Sequence, residues 1–170
     1  MSAVSFRLAE PGDAEEIART LELGFEGYRE FAPAAWTPPP ADPEPLRTRL
    51  ADPDVWCQVA ETPEGMAGHV ALIPAAMQTT HPDRDPALAH LWQLFVREQH
   101  WGTGIATALH SAVVEEATRR GYSTFRLYAA APQARARRFY EREGWTPAGS
   151  PFFEEEFGEI ELVEYRRPLR

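Results

Sequence analysis

Apolar positions along the chain switch between two periods. Residues 4–9 (Val-Ser-Phe-Arg-Leu-Ala) alternate and predict a first strand. Pro11-Gly12-Asp13 then forms a turn, with Asp13 placed to cap a helix that runs from Ala14 toward Phe25 and Glu16 at its third position. A short helix is expected near residues 44–50. Residues 55–60 and 67–73 predict two strands joined by the turn Thr62-Pro63-Glu64-Gly65, and residues 88–96 (Leu-Ala-His-Leu-Trp-Gln-Leu-Phe-Val) are the strongest strand candidate. By alternation, His90, Trp92, Leu94 and Val96 should share one face of it.

Helical spacing then takes over. Ile105, Leu109, Val113 and Ala117 form one stripe of a helix predicted over 104–120. Glu115 with Arg119, and Glu116 with Arg120, support it as i,i+4 pairs, and Gly121 ends it. A strand at 124–129 follows, then an amphipathic helix over 133–143 carrying Ala136, Phe139 and Tyr140 on one side, then strands near 145–149 and 160–166. The order β-α-α-β-β-β-α-β-α-β-β predicts a mixed α/β (α+β) sheet with helices on both faces, in a single domain over residues 1–170.

Composition narrows the function. With 170 residues, 44% hydrophobic and 25% charged, the chain has ordinary globular values. No apolar run approaches the roughly 20 residues of a membrane span, and the segment from Met1 to Arg7 lacks an apolar signal core, so a cytoplasmic protein without a membrane partner is expected. The net charge of −9 argues against a nucleic-acid partner and for a cationic one. All 17 basic residues are arginine, and the chain has neither lysine nor asparagine. Both missing residues use A-rich codons, so a bacterial source of high G+C content is expected. The missing lysine excludes Schiff-base chemistry and a GxxxxGK[ST] phosphate loop. The one cysteine, Cys57, permits no internal disulfide and no cysteine-based zinc site. The five histidines show no metal-ligand spacing, so no metal is expected.

Residues 31–53 hold seven of the 16 prolines together with Phe31 and Trp36. A stiff apolar connector of this kind is expected to act as a lid.

The most informative segment runs from Leu94-Phe95-Val96 through Trp101-Gly102-Thr103-Gly104-Ile105-Ala106. A buried strand ends, a loop with two glycines follows, and a long helix begins. The first N–H groups of that helix are unpaired and point outward, and with the helix dipole they make an anion site. Thr107 occupies the third glycine position of GxGxxG, so a dinucleotide fingerprint fails.

This run resembles motif A of the GNAT superfamily of acyl-CoA N-acyltransferases, Q/R-x-x-G-x-G/A. Gly104 and Ala106 match, and Trp101 stands in place of the usual Gln or Arg. The block from Gln133 to Trp145 resembles the family's N-x-x-A-x-x-F-Y-x-x-x-G-F, with Gln133 for Asn and Trp145 for Phe. The resemblance extends over nearly the whole chain and implies a GNAT-like, mostly antiparallel sheet that splays between its fourth and fifth strands.

It also implies acetyl-CoA as co-substrate. The amides of Trp101, Gly102, Thr103, Gly104, Ile105, Ala106 and Thr107 would hold its pyrophosphate, and the backbone of Leu94 and Val96 would pair with its pantetheine arm. An N–H of Leu94 or Phe95 would polarise the acyl carbonyl, and Gln133 would contact the pantetheine. Tyr140 matches the family's general acid. An alkylammonium with a pKa near 10.4 must lose a proton before it can react. His90 reads equally as that proton acceptor or as a structural strand histidine, and His69 is a weaker candidate. His81, His100 and His110 read as loop or helix-surface residues.

The expected reaction is transfer of an acetyl group to a primary amine of a small cationic molecule. An acyl-CoA sensor domain and a protein N-acetyltransferase are the alternatives, and a homodimer is an open expectation. Glu22, Glu26 and Glu30, and the crowd Glu154, Glu155, Glu156, Glu159 and Glu161, would either steer a cationic acceptor or form solvated faces. Arg135, Arg137, Arg138 and Arg142 would hold CoA phosphates or face solvent.

Overall fold

A computed structural model describes residues 3–170; Met1 and Ser2, part of the segment read as lacking an apolar signal core, lie outside the described residues. Seven strands and four α-helices follow the expected order: β1 (Ser5–Leu8), α1 (Ala14–Glu26), α2 (Pro43–Leu50), β2 (Trp56–Thr62), β3 (Gly65–Pro74), β4 (Leu88–Val96), α3 (Ile105–Arg119), β5 (Thr124–Ala130), α4 (Ala134–Arg142), β6 (Thr146–Phe153) and β7 (Glu161–Pro168). They form one mixed sheet in the order β1-β2-β3-β4-β5-β7-β6. Among the described residues no helix is long and apolar enough to cross a membrane.

Among the described residues the β4–β5 junction is the single parallel pairing and the shortest. It joins Leu88, Ala89 and His90 to Thr124, Phe125 and Arg126, and stops there. Beyond His90, β4 pairs only with β3, while β5 continues along β7 to Ala130. The sheet therefore splays, and the outer edge of β4 from Leu91 to Val96 is left without a strand neighbour.

Both faces of the sheet are covered. On one, Leu109, Val113 and Ala117 of α3 are fully buried with Val70, Leu72, Leu91 and Leu127, and Tyr140 of α4 joins the same core. Burial of a side chain the size of Leu109 or Val113 stabilises the fold by roughly 1.5–3 kcal/mol. On the other, Ile17, Ala18 and Leu21 of α1 and Leu46 of α2 pack on Cys57, Val59 and Ala71. Gly24 lets α1 lie directly on β4, since a Cβ there would meet the Phe95 ring at 2.4 Å. Cys57 is buried, and its burial first and the nearby Asp13 carboxylate second push the thiol pKa up to about 12, which leaves it unreactive.

Three local expectations are corrected. Asp13 flanks α1 without capping it: its carboxylate accepts from both terminal nitrogens of Arg7 at 2.8 Å and from the Glu10 N–H at 2.7 Å. His110 lies in the core at 2% exposure, because Nε1 of Trp145 donates to its Nε2 at 2.9 Å. The alternation of β4 is broken at Trp92. Leu91 pairs with Leu72 and Gln93 with Ala71, so Trp92 is an extra residue in a β-bulge. Leu94 and Val96 share the α3 face, whereas His90, Gln93 and Phe95 face α1.

Candidate active site

Main-chain direction along β4 follows from two contacts. The Arg97 N–H donates to the Ala67 carbonyl at 2.8 Å, so the amide of Arg97 faces β3. A Cβ on Gly68 of β3 would meet the Phe95 carbonyl at 2.5 Å, so Phe95 faces β3 as well. By alternation, Leu94 and Val96 turn their N–H and C=O groups toward the splay. The Val96 carbonyl is already engaged, accepting from Nε1 of Trp101 at 2.8 Å. Leu94 is thus the residue that offers both a donor and an acceptor to the gap.

The chain leaves β4 through a 3₁₀ turn (Glu98–His100) and enters α3 across two left-handed glycines, Gly102 at φ +75° and Gly104 at φ +88°. Only glycine takes these angles without strain. A Cβ on either would project into open space, so the backbone here is uncovered. No side chain caps α3, and the Ala108 N–H donating to the Gly104 carbonyl closes its first turn. The N–H groups of Ile105, Ala106 and Thr107 precede the helical ladder and are free for an anion. Thr103 is turned to other work, with its hydroxyl donating to the His100 carbonyl at 2.6 Å. Across the loop, the Arg135 guanidinium stacks 4.2 Å over the half-exposed Trp101 ring.

These features open into one cleft of about 920 Å³. Of the site residues read from the sequence, Leu94, Phe95, Val96, Trp101, Gly102, Gly104, Ile105, Ala106, Thr107, Gln133, His90 and Tyr140 line it, and Thr103 does not. Gln133 sits at the N-cap of α4 without capping it, and among the described residues its amide makes no protein hydrogen bond. Arg135, Arg138 and Arg142 also line the cleft, whereas Arg137 turns away and donates to the Tyr165 hydroxyl at 2.8 Å. Burial, with the nearby Tyr28 hydroxyl second, raises the Tyr140 pKa and keeps its phenol protonated.

His90 is 3% exposed, and its Nδ1 accepts from Nε of Arg126 at 3.1 Å. A guanidinium only donates, so His90 is the neutral tautomer with its proton on Nε2. Burial first and the Arg126 charge second hold its pKa well below the usual histidine range. His69 is fully buried, pairs through Nε2 with Oε1 of Gln93 at 2.8 Å, and does not line the cleft; burial lowers its pKa to about 4.

A family model described as the acetyltransferase (GNAT) family matches residues 21–145, from α1 through the two-glycine turn to Trp145. The chain belongs to the GNAT family. It is similar to human N-acetyltransferase 8, at 34% identity over 95 residues, 56% of this chain and 40% of that protein. It therefore spans less than half the length of that curated relative. In three dimensions it resembles a GNAT-family acetyltransferase from Desulfovibrio desulfuricans, at 23% identity, TM-score 0.72 and coverage of 99% of this chain and 100% of the other. It also resembles an acetyltransferase from Salmonella typhimurium solved with its cofactor acetyl-CoA, at 18% identity, TM-score 0.74 and coverage of 99% and 95%. The parallel β4–β5 pair, the splay and the seven-stranded mixed sheet are the fold that these GNAT structures share with it.

Sequence reasoning missed Phe157 as part of the cleft. Phe157 and Tyr28 line it, and so do Glu154 and Glu156, which the sequence left between steering a cationic acceptor and a solvated face. In the sequence Glu154 is one of a crowd of carboxylates, and the signal that sets it apart is its position directly after Phe152 and Phe153. Trp36 of the proline-rich connector donates from Nε1 to the Phe157 carbonyl at 2.8 Å and packs on Ile160 and Leu162. The expected lid is packed here as part of the wall, joined to the β6–β7 connection. Glu22 and Glu26 stay outside the cleft, paired with Arg19 and Arg29.

Proposed function

We propose that this chain transfers an acetyl group from acetyl-CoA to a primary amine of a small, cationic molecule. The observation that carries the reading is the adjacency of three features in one cleft: uncovered amides at the start of α3, an unpaired β4 edge, and the protonated Tyr140 phenol. The cradle fits a diphosphate, because its glycines leave the backbone bare and Arg135, Arg138 and Arg142 add positive charge. Acetyl-CoA supplies the activated acyl group and a thiol leaving group when bound.

The remaining work falls to the chain. The amides of Gly102, Gly104, Ile105, Ala106 and Thr107 hold the phosphates, the expected Trp101 N–H being taken by the Glu98 carbonyl at 3.0 Å, and Gln133 reaches the pantetheine. Leu94 turns its N–H into the gap, where one oriented donor contributes on the order of 3 kcal/mol toward developing oxyanion charge. Tyr140 holds a proton for the departing sulfur. His90 enters as a neutral donor through Nε2 and not as the proton acceptor, because its one lone-pair nitrogen is bonded to Arg126, so the acceptor ammonium gives its proton to solvent water at the open cleft before the free amine attacks. The test is release of free CoA thiol with a panel of primary amines. Turnover with at least one amine supports the reading, and CoA binding without turnover on any amine favours a sensor domain instead.

A further inference from the structure

On the α1 side of the sheet, the β6–β7 connection brings two carboxylates to the cleft wall, Glu154 and Glu156. Glu154 is 4% exposed, yet among the described residues its Oε1 has no hydrogen-bond partner. An unpaired carboxylate oxygen out of water is destabilising unless a donor arrives. Among the described residues no arginine pairs with Glu154 or Glu156, although the chain carries 17 of them. The nearest cationic candidate is His81, whose Nδ1 lies 3.8 Å from the Glu154 Oε1, beyond hydrogen-bond reach, on a half-exposed ring. Burial raises the Glu154 pKa, and Glu156 adds to that rise; hydrogen bonding to Thr80 and Gln78 and the His81 charge oppose it, so Oε1 is the oxygen left over.

The surroundings are aromatic. Phe157 stacks on Tyr28 at 6.5 Å and meets Phe25 edge-on at 5.6 Å, and Tyr128 lines the same space. Aromatic faces beside a dehydrated carboxylate favour an organic cation over a hydrated ion.

We infer that Glu154 is the seat of the acceptor's ammonium group, with Glu156 at its rim, and that the acceptor is a primary ammonium carried on an apolar body that lies against Tyr28, Tyr128 and Phe157. The inference rests on the proposed acetyl transfer for the word acceptor alone; the seat stands on its own geometry. The test is calorimetric titration of the CoA-loaded protein with benzylamine and with its neutral isostere benzyl alcohol, using wild type, Glu154→Gln and Glu155→Gln. Benzylamine should bind wild type at least tenfold tighter than the alcohol. Glu154→Gln should erase that difference, and Glu155→Gln, on an exposed side chain beside the seat, should preserve it. Equal binding of amine and alcohol, an unaffected Glu154→Gln protein, or no benzylamine binding by protein that holds CoA normally would each overturn the seat. A wild-type protein that fails to bind CoA strikes the proposed function instead, and the same titrations without CoA then decide Glu154.

Discussion

Nε of Arg126 donates to Nδ1 of His90 at 3.1 Å across the parallel β4–β5 pair, with both residues nearly excluded from solvent. Among the described residues Nη2 of Arg126 has no hydrogen-bond partner, and its guanidinium lies 5.1 Å over the Tyr128 ring. The contact fixes a tautomer, and it adds a buried positive charge that opposes a second one on His90. Arg126→Met should therefore raise the His90 pKa toward its ordinary value of about 6.5. Imidazole chemical shifts followed against pH check this. An unmoved His90 titration would leave burial as the sole cause of the depression.

Gly104 caps α3 at φ +88° in open space. Gly104→Val places a β-branched residue in the left-handed region, at a cost of about 1–3 kcal/mol, and covers the amides that follow. The expected result is a lowered melting temperature together with at least a tenfold weaker Kd for CoA. Unchanged CoA affinity would move the phosphate site elsewhere.

Tyr140 is buried in the α3-side core and still lines the cleft. Its hydroxyl can be removed with little change in packing volume. Tyr140→Phe should lower kcat by on the order of 100-fold, the usual scale for a lost general acid, while the KM for acetyl-CoA moves less than threefold. Steady-state kinetics at saturating amine separates the two. A proportional rise in KM would assign the hydroxyl to binding.

The order of elements and both motif blocks were legible because each rests on local signals: two-residue alternation, four-residue stripes and glycines at forced angles. What the sequence did not disclose depends on long-range pairing. The bulge at Trp92 arises only when β4 is laid against β3, and it moves His90 to the face opposite Leu94 and Val96. His110 reads as a surface residue until Trp145, 35 positions away, reaches its ring. Glu154 is not set apart from four neighbouring carboxylates, each of which could steer an acceptor or face solvent, until Trp36 and Phe157 close the wall beside it. Each case is a polar side chain whose environment is set by a residue distant in the chain.

Two of these buried rings make the fold sensitive to acid. Burial lowers the pKa of His69 to about 4, and burial with the Arg167 charge second does the same for His110, although the Glu143 carboxylate lies 3.8 Å from the His110 Nδ1. In the unfolded chain both titrate near 6.5. Between about pH 6.5 and pH 4 the unfolded chain therefore binds more protons than the native one, and stability falls as pH falls. Each ring accounts for a loss of about 3 kcal/mol across that window, at 1.36 kcal/mol per pKa unit, and His90 acts in the same direction. Above pH 6.5 these groups contribute no slope. Urea unfolding at pH 7.5 and pH 5 should show the loss. Asp13 and Glu116, held low by arginine, add to the loss only as pH falls toward the ordinary carboxylate range, whereas Glu154, held high by burial, opposes it. In His110→Gln the amide still offers Trp145 an acceptor but cannot take up a proton, so the loss between the two pH values should shrink by about a third to a half. An undiminished loss would place the acid sensitivity elsewhere in the fold.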